Sequence, residues 1–199
     1  MARKRKADHD SAIAGALDLF WRKGYNGAST REIEQETGLT RFTLQTAYGG
    51  KEQFFLETLD TYLDNAEAHH FPDPATYTID DLAQWLQGIA SAEKMPDIEH
   101  SGCLAFNSIS QFDRSDPEVN RRIERYLTGL ETRFAEVLYL ANQRGELRAG
   151  ISAEDAAKIL ISLLLGLHSI MKARTTDNYP ASFALAAANL LRSWKVEEF

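Results

Sequence analysis

Cysteine is almost missing from this chain. Cys103 is the only one in 199 residues, so no intrachain disulfide can form and a reducing cytoplasm is the expected compartment. Long apolar runs are missing as well. The longest, Ile159–Leu167, is broken by Ser162 and flanked by Lys158 and His168, far short of the ~18–20 residues of a membrane span. The basic opening MARKRKADHD reaches acidic residues at once and leads into no apolar stretch, which argues against a secretory signal. No alternating strand pattern, Gly-rich phosphate loop or internal repeat is found. Neither is HExxH or a Ser/His/Asp set with elbow glycines. The carboxylate pairs Asp80-Asp81 and Glu154-Asp155 stand at helix starts, where they serve caps and dipoles. No catalytic residue, metal site or cofactor is expected.

What is present is ordinary in bulk and uneven in place. Hydrophobic residues make up 44% and charged residues 26%, the balance of a folded globular chain. The net charge of −7 divides sharply along the sequence. Residues 1–51 carry nine Lys/Arg against six Asp/Glu, and the rest carries thirteen against twenty-three. A basic head on an acidic body points to a polyanion met by the head alone.

The hydrophobic spacing is helical throughout. Ile13, Leu17, Phe20 and Trp21 share one face of a first helix that Asp10 or Ser11 can cap and Gly24 can end. Ser29 to Glu32 has capping-box spacing before a short helix that Gly38 stops. Thr40 is the candidate cap of another short helix, Arg41 to about Ala47, anchored by Phe42 or Leu44. Lys51 to about His69 reads as a long helix. Thr78 opens one through Leu82, Trp85 and Leu86; Cys103 to Phe112 is a short apolar one. Asp116 with Pro117 starts a helix to about Arg144 that Gly145 ends. Ser152 and Asp155 form a second capping box for a helix to about Arg174, and Pro180 starts a last one to about Trp194. The fold expected is all-α, with about nine helices.

The two short helices joined at Thr37-Gly38-Leu39-Thr40 have the spacing of a helix-turn-helix. A helix so short is marginal alone; held by its neighbours, its outer face can enter a DNA major groove. Thr40, Arg41, Thr43, Gln45 and Thr46 are small or hydrogen-bonding, suited to base edges and phosphates. Lys51 puts a cation beside the free amides of the next helix start, a phosphate grip.

These residues resemble the tetracycline-repressor (TetR/AcrR) family of one-component regulators. The likeness rests on Gly24-Tyr25, Ser29, Ile33, Gly38-Leu39-Thr40, Leu44, Tyr48 and Lys51-Glu52, about the first quarter of the chain, and more loosely on SGCLAFN and RGEL further on. It implies a homodimeric repressor released from a palindromic double-stranded DNA operator by a small-molecule effector. It also implies a helix-turn-helix domain over residues 1–52, a connecting helix 51–69, and a ligand-binding and dimerisation domain over 53–199. Ser29 and Thr30 fall at backbone-contact positions, Arg41, Thr43 and Thr46 on the recognition helix, and Lys51 at the phosphate position, with Tyr48 completing the set. Two positions depart from the pattern: Gln45 replaces a frequent Tyr, and Phe42 stands where a Gly or small residue is frequent. Phe42 must pack inward or reach a thymine methyl.

The last two long helices are apolar around most of their circumference, which suits a four-helix interface between two copies. Leu160, Leu163, Leu164, Leu167, Met171, Leu185, Leu190 and Leu191 are its candidate residues. The effector pocket draws its candidates from Tyr62, Trp85, His100, Cys103, Phe106, Asn107, Phe134 and His168, apolar rings with a few polar groups. Cys103 reads first as a buried small hydrophobe. A sensing thiol is the next reading, and a metal pair with His100 falls short because zinc needs two more ligands. The alternative to the regulator is a helical ligand-binding, redox- or metal-sensing dimer whose specific DNA binding is weakened or lost.

Overall fold

Side-chain caps set most of the helix starts. The computed structural model describes residues 2–91, 102–112, 116–173 and 178–196, with side chains from residue 9 onward. Among the described residues there are nine α-helices: α1 (Ala2–Gly27), α2 (Thr30–Thr37), α3 (Arg41–Tyr48), α4 (Lys51–His69), α5 (Ile79–Ala90), α6 (Leu104–Phe112), α7 (Pro117–Gln143), α8 (Ala153–Lys172) and α9 (Tyr179–Arg192). The all-α expectation holds. None of these helices is long and apolar enough to cross a membrane.

Reciprocal capping boxes open α2 (Ser29 with Glu32) and α5 (Thr78 with Asp81). Asp116 opens α7 by accepting the backbone N–H groups of Glu118 and Val119 at 2.8 and 3.1 Å. Each cap satisfies amides that the helix itself leaves without a partner.

Two helix starts and one capping box differ from expectation. α1 begins at Ala2, so Asp10 and Ser11 lie inside it and cap nothing; the preceding residues contain no Gly or Pro to stop the helix propagating backward. Its regular part does end at Gly24, where φ is 73° and ψ 171°. At α8 the box is one-sided: Ser152 accepts the Asp155 N–H, while the Asp155 carboxylate turns to Lys158 at 3.5 Å. α9 starts one residue before Pro180, after an Asn178 that makes no side-chain cap bond.

The chain packs as two compact units. The first comprises Met1–His69 with Cys103–Glu124. Here α1 packs on α2, α4 and α6, and α3 on α4. Its centre is aromatic: Phe20 meets Phe55 edge-on at 5.0 Å between ring centres, and Phe55 stacks on Phe112 at 5.1 Å. Glycine is required where α1 crosses α2, because a Cβ on Gly15 would stand 2.8 Å from the Glu36 carbonyl oxygen. The first turns of α7 are tied to α4 by Arg122, which donates to both Asp60 oxygens at 2.8 and 2.9 Å.

The second unit comprises His70–Gly102 with Arg125–Phe199. α5 lies along α9, and α8 packs on both. Leu82, Leu86, Phe134, Leu160, Leu164, Leu167 and Leu191 fill its core. Trp85 meets Phe134 edge-on at 5.6 Å and donates its indole N–H to the His70 carbonyl at 2.9 Å. After α9 the chain forms an isolated antiparallel bridge between Leu147 and Lys195, with Arg148 N–H donating to Trp194 O and Val196 N–H to Glu146 O. By packing, α4, α6 and the start of α7 group with the N-terminal helices, beyond the residue-52 boundary read from sequence.

Candidate nucleic-acid interface

The turn between α2 and α3 is stiff. Gly38 takes the left-handed conformation at φ 70° and its N–H donates to the Glu34 carbonyl, a geometry other residues adopt only with strain. Thr37 Oγ1 donates to Ile33 O at 2.6 Å and accepts the Leu39 N–H at 3.2 Å. Thr40 caps α3 by accepting the Thr43 N–H at 3.1 Å, and the Glu34 carboxylate accepts the Arg41 N–H. Leu44 is the one buried residue of α3. A helix of two turns is thus fastened by its cap, its turn, the Leu44 anchor and, at its end, Tyr48, whose ring meets Phe54 edge-on at 4.6 Å.

The nine expected DNA-contact residues all lie on the first unit, around α3. Arg41, Gln45, Thr46 and Thr40 are exposed; Thr43, Thr30 and Tyr48 are half-buried. Their free hydrogen-bonding capacity differs. Ser29 is exposed, yet its hydroxyl works inside the capping box, donating to Glu32 Oε2 at 2.7 Å. Lys23 and then Ser29 hold the Glu32 carboxyl down to about 2, so the box is anionic at neutral pH. Tyr48 sits with its hydroxyl 3.2 Å from His9 Nδ1 and its ring stacked on the imidazole, while His9 Nε2 lies 3.1 Å from Glu57. Burial keeps that phenol's pKa above its usual value, so it stays protonated. Thr46 Oγ1 donates to the Phe42 carbonyl at 2.8 Å. Lys51 places its Nζ 4.3 Å from the centre of the Tyr25 ring, and burial lowers its pKa.

Two residues near α3 escaped sequence reasoning. The Glu34 carboxylate closes part of the α3 start, through a contact across the turn that no local spacing announces. His9 braces Tyr48 from 39 residues away. Phe42, left open between inward and outward, is 76% exposed, so Leu44 alone is the anchor.

Comparison with known proteins places this arrangement. Residues 12–58 match the family described as bacterial regulatory proteins, tetR family, and residues 78–187 match the one described as tetracyclin repressor-like, C-terminal domain. The chain belongs to the TetR family of DNA-binding transcriptional regulators. That class is not normally enzymatic. A relative, the uncharacterized HTH-type transcriptional regulator YezE of Bacillus subtilis (strain 168), is 29% identical over 152 residues, covering 74% of this chain and 76% of that protein. The HTH-type transcriptional repressor ComR of Escherichia coli (strain K12) is 24% identical over 169 residues, covering 83% and 80%. A cysteine mutant of the TetR family regulator CifR, solved with 26 bp double-strand operator DNA, shares the fold at a TM-score of 0.77 and 23% identity, covering 93% and 95%.

The remaining expected site residues of this TetR-family chain divide between the units. Tyr62, Cys103, Phe106 and Asn107 belong to the first, and Trp85, Phe134 and His168 to the second; His100 lies outside the described residues. Cys103 is buried, with its Sγ 3.1 Å from the Tyr62 hydroxyl. Burial lowers the His168 pKa to about 4, so the ring is neutral. Among the described residues no three His, Cys, Asp or Glu converge as metal ligands. A trough of about 1200 Å³ runs along the second unit between the Asp73–Ala75 turn, α7 and the start of α8. Its walls carry Glu131, Glu136 and Glu154, and none of the expected pocket residues.

The expected dimer residues divide differently. Leu160, Leu164, Leu167, Met171 and Leu191 are buried within the single chain, where α8 and α9 face their own core. Leu185 and Leu190 are 50% and 42% exposed, joined by Ile159 at 44%, while Leu163 is half-buried. The apolar circumference of α8 and α9 serves the core of its own unit on one side and is open on the other.

Proposed function

We propose that this TetR-family regulator is a homodimeric repressor in the cytoplasm that binds a palindromic operator and is released from it by a small-molecule effector. Residues 1–52 are its DNA-binding domain, α4 the connector, and 53–199 the effector-binding and dimerisation domain. The observation that carries this reading is α3: a helix fastened at its start and by Leu44, with Arg41, Gln45 and Thr46 exposed beside Lys51. Arg41, Thr43, Gln45 and Thr46 face the groove; Ser29, Thr30, Thr40, Tyr48 and Lys51 line the phosphates.

One short helix supplies little affinity, whereas two set about one DNA turn apart, ~34 Å, read a palindrome. The exposed Ile159, Leu185 and Leu190 support pairing through α8 and α9. That ComR is a repressor and that CifR was crystallised on operator DNA support the sign and the partner. Release requires an effector that prefers the non-binding conformation, a coupling of ~1–3 kcal/mol.

A mobility shift on DNA flanking the protein's own gene tests the reading. With 6–10 phosphates contacted, affinity falls about 10³–10⁵-fold between 50 and 200 mM salt. Lys51→Ala weakens all sequences alike and lowers the salt slope by about one, while Arg41→Ala relaxes sequence preference. Leu185→Glu with Leu190→Glu gives a folded monomer by sedimentation. Absence of specific binding at low salt, from a folded dimer, points instead to a ligand-binding protein without an operator.

A further inference from the structure

We infer that Phe42 reads the sequence of the operator by packing its ring against the C5-methyl of a thymine in the major groove. The inference rests on the operator-binding reading above and adds to it a residue and a base. It begins with a helix wheel. At about 100° per residue, Phe42 and Thr46 stand about 160° and 200° from Leu44, the buried anchor of α3. They are the residues farthest from the protein. Arg41 and Gln45 lie on one side, about 60° and 100° from Leu44, and Thr43 on the other.

The chemistry of this outermost edge lacks a free hydrogen-bond donor, and at Phe42 it is wholly apolar. Phe42 is 76% exposed, the most exposed large hydrophobic among the described residues. The Thr46 hydroxyl donates its hydrogen bond to the Phe42 carbonyl at 2.8 Å and shows the groove an acceptor oxygen and a methyl. Neither residue has a side-chain proton left for the acceptors N7, O6 or O4. Of the groups that base pairs show in the major groove, the thymine methyl is the apolar one. Arg41 and Gln45 on one side of it and Thr46 and Thr43 on the other are polar, so Phe42 is a single apolar tip rather than part of a patch that a protein partner would cover. That pattern, an apolar point between hydrogen-bonding shoulders, fits a thymine with polar base edges on either side.

The test uses the full-length protein. An operator is selected from random duplexes, then resynthesised with each thymine of one half-site replaced singly by uracil, which removes only the methyl. Affinity of the wild type, Phe42→Ala and Phe42→Leu is read by fluorescence anisotropy. One uracil position is expected to weaken the wild type about four-fold (~0.8 kcal/mol). Phe42→Ala binds thymine and uracil alike at that position, and Phe42→Leu keeps part of the preference. Because the side chain is exposed, both variants keep the wild-type melting temperature. The inference is overturned if no uracil weakens the wild type, or if the sensitivity survives in Phe42→Ala. It is overturned equally if Phe42→Ala loses affinity without regard to the methyl, which marks a wedge between base steps. Should no duplex be enriched at all, the operator-binding reading fails first and takes this one with it.

Discussion

α3 and α8 are held by different means. α3 has eight residues and one buried side chain, and α8 has twenty residues of which six are buried. Burial of an apolar face stabilises α8, whose inner leucines serve the core of its own unit. α3 is too short for that; a hydrogen-bonded turn, a threonine cap and Leu44 substitute for it. The contrast shows how a helix keeps most of its surface free for another molecule: it is fixed at its start, from one point beneath, and at its end by Tyr48 against Phe54 and His9.

The most severe way to break this comparison is to remove the single point. Leu44→Ala should cost ~2–5 kcal/mol in urea unfolding and abolish specific DNA binding while most helical circular dichroism remains. If operator binding survives, the turn and cap suffice and the contrast fails. The second effect belongs to the α8 side. The folded His168 pKa of about 4 lies below its ordinary 6.5, so between those values the unfolded chain binds the extra proton. Stability is therefore complete above pH 6.5 and falls as pH drops toward 4, by up to ~3 kcal/mol. Urea titrations across that window should show the fall in the wild type and a flatter profile in His168→Gln.

A pair of glycines sharpens the comparison at a smaller scale. Gly15→Ala pushes a methyl onto the Glu36 carbonyl and should cost ~1–3 kcal/mol. Gly88→Ala, on α5 with nothing within 4 Å of the new carbon, should stabilise by ~0.5–1 kcal/mol. Melting temperatures moving in the same direction would contradict the close α1–α2 crossing. The smallest effect is at the α2 cap. Glu32 titrates at about 2 rather than 4.5, so its contribution is present above pH 4.5 and lost as pH falls toward 2. Glu32→Gln should remove that part of the acid dependence from thermal melts.

Much of this was legible from residue order. Capping signals and glycines placed α2, α3 and α5 because those signals act within a few residues of the helix end. Asp10 and Ser11 misled for the complementary reason: a capping residue caps only if the backbone before it leaves the helix, and nothing there forces it to. For α8 and α9 the periodicity registered apolar character but could not apportion it, since a leucine turned to its own core and one turned outward look alike in sequence. Leu164 and Leu190 fall on opposite sides of that division. The pocket candidates were chosen by residue type along the chain, which carries no sign of the unit each belongs to: Tyr62 packs in the first and Trp85 in the second. Phe42 was a near miss: counting 100° steps from Leu44 sends it outward, but only burial tells which of the two is the anchor.

The lysine at the head of α4 has one more consequence. A free lysine side chain sweeps through many rotamers, and stilling it takes up to about 2 kcal/mol. Resting on the Tyr25 ring at 4.3 Å, the Lys51 ammonium gives up part of that motion within the folded chain itself. Exchanging Tyr25 for leucine would leave the charge in place and set it wandering.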